Sequence, residues 1–78
     1  MKHLYSAADN YSTYVLMRDF EREDDDVMVV DHDVSEEEIE EYIKFFEQNG
    51  TVDSIYEEDL WFTWEEAQER FFAIKHIA

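Results

Sequence analysis

Between residues 34 and 50 the apolar positions recur every three to four residues. Ile39, Tyr42, Ile43 and Phe46 fall on one helical stripe. Ser35 stands before them with Glu38 three residues on, the spacing of a reciprocal capping box, and Val34 and Ile39 are placed to staple the helix start. Asn49-Gly50 ends the pattern, because glycine readily adopts the left-handed conformation that stops a helix. The spacing predicts a helix over about 36–48. A second capping box opens at Thr63 with Glu66, and Trp64, Ala67, Phe71 and Ile74, widened by Phe72, carry a second stripe. Its acids come first and Arg70, Lys75 and His76 last, the order the helix dipole favours, so a helix is predicted over about 64–77.

Elsewhere the pattern is shorter. Residues 27–34 form a β-branched run ended by the Ser35 cap, and residues 51–56 offer Val52 and Ile55 as anchors of another strand. Residues 11–17 have strand composition, and Asp9-Asn10 can turn the chain back onto His3-Leu4-Tyr5. Ser6 and Asp9 also satisfy a capping-box spacing, so a helix over 7–20 is the alternative. The predicted order is β-β-β-α-β-α. That is an α+β fold in which a small antiparallel sheet of three to four strands carries both helices on one face.

Length and composition limit what such a fold can be. Seventy-eight residues imply one domain, and a chain of this size buries only about 60% of the surface it exposes when unfolded. The absence of cysteine excludes disulfides and thiolate metal sites and fits a reducing compartment. The longest apolar runs, 14–17, 27–30 and 71–74, are too short to span a membrane, so a soluble, cytoplasmic protein is expected.

Charge changes the picture most. The chain has 22 acids against six bases, a net of −16, and from Arg18 to Glu41 thirteen acids meet two arginines. Direct binding to nucleic acid or to an anionic membrane is excluded by repulsion. Disorder is argued against by the 45% apolar content and 17% aromatic content. Glu36, Glu37 and Glu38 suit a first helical turn. Glu40 and Glu41 each lie four residues from a like charge, which costs about 0.2–0.5 kcal/mol per pair. Glu23, Asp24, Asp25 and Asp26 fit a hairpin loop, and Asp31 and Asp33 are expected on one face of a strand, about 6.7 Å apart. Carboxylates at such intervals repeat on the scale of neighbouring phosphates. A simple solvated face, including adaptation to high salt, is the competing account.

Other chemistry is weaker. Asp31, Asp33 and Ser35 match the first ligand positions of a calcium loop, but Glu36 replaces its glycine and Tyr42 its bidentate acid. His3, His32 and His76 are too scattered in sequence for a zinc site. No nucleophile and base are paired, and one glycine provides no phosphate loop, so no catalytic residue, metal or cofactor is expected and the chain is read as a non-enzyme. The aromatic residues are a second signal: Tyr56, Leu60, Trp61 and Phe62 form a candidate surface for a partner or for homodimerisation.

In size, acidity and lack of cysteine the chain resembles the small anti-defence inhibitors of bacteriophages and mobile elements, the anti-restriction and anti-CRISPR proteins, some of which mimic DNA. The resemblance is one of type and rests on no residue motif. It implies a non-catalytic inhibitor whose acidic face, Glu23 to Asp26 with Asp31, Asp33, Glu37, Glu40 and Glu41, occupies a basic nucleic-acid-binding site on a host protein. The alternative is a homodimeric inhibitor or adaptor that binds a defence protein through its aromatic surface.

Overall fold

The computed structural model describes residues 1–78. Five strands and two helices follow in the order β1 (Lys2–Ala8), β2 (Thr13–Asp19), β3 (Val27–His32), α1 (Glu36–Asn49), β4 (Trp61–Phe62), α2 (Trp64–Arg70) and β5 (Phe72–His76). The sheet is antiparallel with strand order β4-β3-β2-β1-β5. No helix is long and apolar enough to cross a membrane.

The amino-terminal residues are strands, and the helical alternative over 7–20 falls. Asp9, which suggested a helix cap, makes the turn instead: its Oδ1 accepts from the N–H groups of Tyr11 and Ser12, each at 2.8 Å, and Oδ2 accepts from the Tyr14 hydroxyl at 2.7 Å. β1 then pairs with β2 without interruption from Lys2↔Asp19 to Ala8↔Thr13.

The two helices cover opposite faces of the sheet, where one shared face was expected. Adjacent residues of a strand point to opposite sides, and the three central strands bury consecutive positions. Leu4, Val15, Met17, Met28 and Val30 pack under Ile39, Tyr42, Ile43 and Phe46 of α1. Tyr5, Ala7, Leu16, Val27 and Val29 pack under Trp64, Ala67 and Phe71. Unbroken apolar runs such as 14–17 and 27–30 are what a doubly covered strand requires.

Both capping boxes form: Ser35 with Glu38 and Thr63 with Glu66, each side chain accepting from the third residue's N–H while that glutamate accepts from the cap N–H. Gly50 ends α1 at φ 72°, as its position implied. The second helix, expected to reach residue 77, stops at Arg70. Phe71 is extended, and the following residues pair with the open edge of β1 through Ala8↔Phe72, Ser6↔Lys75 and Tyr5↔His76. A helix continued to 77 would leave β1, buried on both faces, without a partner on one side. The register shifts once in this pairing, and within it Ala73 holds φ 52°.

Residues 51–56 are not a strand. They run irregularly beside β3, held by Ile55 N–H donating to Val30 O (2.9 Å) and the Ser54 hydroxyl donating to Val29 O (3.0 Å). Val52 is buried as an anchor, whereas Ile55, expected to be one, is 53% exposed.

Candidate acidic interface

All but four of the 22 acids are exposed. The four half-buried ones, Asp9, Asp19, Asp26 and Asp31, all accept hydrogen bonds from the chain itself. Glu38 and Glu66 accept from the helix caps while staying exposed, and the burial of Asp26 and Asp31 splits the predicted acidic face.

Glu23, Asp24 and Asp25 are exposed in the β2–β3 loop, as expected. Asp26 is not free: its Oδ2 meets Arg18 Nε at 3.1 Å, and its Oδ1 is buried without a hydrogen-bond partner. Asp31 is likewise engaged, accepting from His32 N–H through Oδ1 and from the Tyr42 hydroxyl through Oδ2. Burial, and then this bond to Asp31, push the Tyr42 hydroxyl well above the usual tyrosine range. Asp33 is exposed, but β3 has ended and its backbone turns left-handed at φ 52°. Asp31 and Asp33 therefore do not form the same-face strand pair that the sequence suggested.

Glu37, Glu40 and Glu41 are exposed on α1, opposite its buried stripe. Glu36 and Glu37 lie one turn before Glu40 and Glu41, about 6 Å along the axis. Asp53, Glu57, Glu58 and Asp59, not counted in the predicted face apart from their general acidity, are exposed in the segment that runs beside β3. The acids thus form a band from the β2–β3 loop, along the outer flank of β3, to the start of α1. β3 alone separates the two ends of that band by about 20 Å.

Few cations oppose it. Each of the chain's arginines lies over an aromatic ring: Arg18 over Trp64 (4.0 Å) and Phe20 (4.5 Å), Arg22 over Trp61 (3.7 Å), and Arg70 over Phe62 (4.5 Å). The other ion pairs are the amino terminus with Glu21 (3.5 Å) and His32 with Asp33 (4.0 Å, present when the histidine is protonated).

Of the aromatic candidates, Tyr56, Leu60 and Phe62 line one groove with Tyr14, Phe71 and Arg70, and Trp61 stands apart from them. Trp61 packs with the α1 side of the sheet and Phe62 with the α2 side, each half-buried beneath its arginine. Tyr56 is half-buried, its ring stacked on His32 and its hydroxyl 2.6 Å from His32 Nδ1. Burial first, then the field of Tyr14, Asp31 and Asp33, raises its hydroxyl above the ordinary value. Leu60 alone of the Leu60-Trp61-Phe62 cluster is exposed, at 47%.

Sequence reasoning missed a groove of about 360 Å3 lined by Glu38, Glu41, Tyr42, Phe45, Val52 and Asp53. Its helical part was legible in principle: 38, 41, 42 and 45 follow the three-four spacing of one face. Phe45 lies one position off the core stripe, and nothing local says that the chain returning after Gly50 brings Val52 and Asp53 alongside.

No protein-family model, curated protein or solved structure matches the chain.

Proposed function

We propose that the protein is a non-catalytic inhibitor, of the phage anti-defence type, whose acidic flank occupies a basic nucleic-acid-binding surface of a host protein in the cytoplasm. The observation that carries this reading is the uncompensated field. The exposed carboxylates have almost no cationic neighbours, while the arginines that could neutralise them are stacked on aromatic rings. Repulsion of that kind is a standing cost to a small fold, and a basic partner relieves it. The gain is fast, steered association and release of counterions from the partner's groove. Glu23, Asp24, Asp25, Asp33, Glu37, Glu40 and Glu41 carry the contact, joined by Asp53 and Glu57 to Asp59. Asp26 and Asp31 act from beneath, by fixing the loop and α1.

The reading as a homodimeric adaptor that binds through Tyr56, Leu60, Trp61 and Phe62 has less support, because Trp61 lies on the opposite side of the sheet from the other three and only Leu60 is exposed, the rest being half-buried.

Capture from host lysate on the immobilised protein, with elution by duplex DNA, tests the proposal. A nucleic-acid-binding protein released by DNA and by high salt, and not captured by the Glu37→Gln/Glu40→Gln/Glu41→Gln variant, is the expected result. Partners that resist both DNA and salt, or that bind the variant equally, would overturn it.

A further inference from the structure

We infer that the groove between α1 and residues 51–53 receives the guanidinium of an arginine side chain from the basic partner. This rests on the acidic-inhibitor reading and names what that surface holds at one point. The floor is apolar and aromatic, made by Tyr42, Phe45 and Val52, and the rim is three carboxylates, Glu38, Glu41 and Asp53. Glu38 uses Oε1 in the helix cap, which leaves its Oε2 for a ligand. Phe45 is 49% exposed in the middle of a helix whose outer face is otherwise charged or polar.

Arginine fits this arrangement for two reasons that do not apply equally to lysine. Its planar, weakly hydrated guanidinium stacks flat on an aromatic ring, and its forked donors reach carboxylates on either side. The chain repeatedly uses that contact internally. Trp61, Phe62 and Trp64 each lie beneath an arginine of the chain itself, whereas none of its arginines covers Phe45. With a carboxylate rim and no internal cation, Phe45 is the aromatic of this set left for a guanidinium from outside.

The test compares hexa-arginine and hexa-lysine peptides, equal in length and charge, binding to the full chain at about 50 mM salt, followed by backbone amide NMR shifts. Arginine is expected to bind about fivefold more tightly, with the largest shifts at Tyr42, Phe45 and Asp53. Phe45→Leu, which keeps the apolar floor without the ring, should bring the two peptides to equal affinity while the amide spectrum stays folded. Glu41→Gln/Asp53→Asn should weaken both peptides without disturbing α1. Equal affinity for the two peptides, with shifts spread over all the acids, would sink the groove and leave the acidic-inhibitor reading standing. An arginine preference that survives Phe45→Leu would also place the discrimination elsewhere. If neither peptide binds, both the groove and the acidic reading fall.

Discussion

The two sides of the sheet are finished by opposite means. On the β3 side, the edge strand β4 is two residues long and the chain beside it carries Asp53, Glu57, Glu58 and Asp59. On the other side, β1 and β5 contain no acidic residue at all, and His3, Lys75 and His76 lie in them, whereas the Lys2 ammonium reaches across to Thr51 and Arg70 to Phe62 of β4. Exposed acids continue on α2 as Glu65, Glu66 and Glu69, so the contrast is between the two edges of the sheet and not between its two faces.

The comparison can be broken most severely from the acid-free side. Phe71 is buried at the junction of α2 and β5, with its ring edge-on to Tyr14 at 4.8 Å. Phe71→Ala should cost about 3–5 kcal/mol, enough to unfold much of a domain this small, as chemical denaturation would show. Next comes the acidic side. Glu37→Gln/Glu40→Gln/Glu41→Gln should weaken partner binding by about 100-fold at low salt, and leave the fold as stable or slightly more so. Lys75→Gln, in the acid-free strand β5, should leave binding nearly unchanged in the same titration.

Tyr42→Phe removes the hydrogen bond that ties α1 to Asp31 and should cost about 1–2 kcal/mol at neutral pH. Because the folded protein holds the Tyr42 hydroxyl above its ordinary value of 10.0, its contribution is complete below pH 10 and is lost as pH rises further. Stability of the wild type should therefore fall more steeply above pH 10 than that of Tyr42→Phe, in denaturation curves taken across that range.

Ser35→Ala, which removes the α1 cap on the acidic side, should lower stability by about 1 kcal/mol. On the opposite edge, Ala73→Gly should raise it by about 0.5–1 kcal/mol, since φ 52° suits glycine and strains alanine. Thermal melts of the two variants side by side should show shifts of opposite sign.

The same division marks what could be read from the sequence. Helix starts were legible because capping boxes are local: Ser35 with Glu38 and Thr63 with Glu66 lie within one turn. Gly50 made the end of α1 legible as well. The end of α2 was not, because it has no glycine and is decided by the open edge of β1 some seventy residues away. Phe71-Phe72-Ala73-Ile74 satisfies either period, and only the vacancy beside β1 selects the strand. The burial of both sheet faces was present in the runs 14–17 and 27–30, whose unbroken apolar sequence marks strands covered on both sides. Acidity marked the candidate surface, but charge does not say which carboxylates turn inward. Asp26 and Asp31 read like their neighbours, and their loss to Arg18 and Tyr42 depends on where β2 and α1 pass.

The junction of β1 with the end of the chain also governs how the molecule assembles. Leu4 bonds to Ala78 and Ile77, and Tyr5 stands opposite His76, so nearly the whole chain must be looped before the sheet is complete. Contacts so distant in sequence form late and slowly, because loop closure precedes any reward from pairing. Until then β1 is an uncovered template for a neighbouring copy. Mutual repulsion between chains of charge −16 keeps such copies apart during that interval. The carboxylates thus guard the late closure of the β1 edge against aggregation.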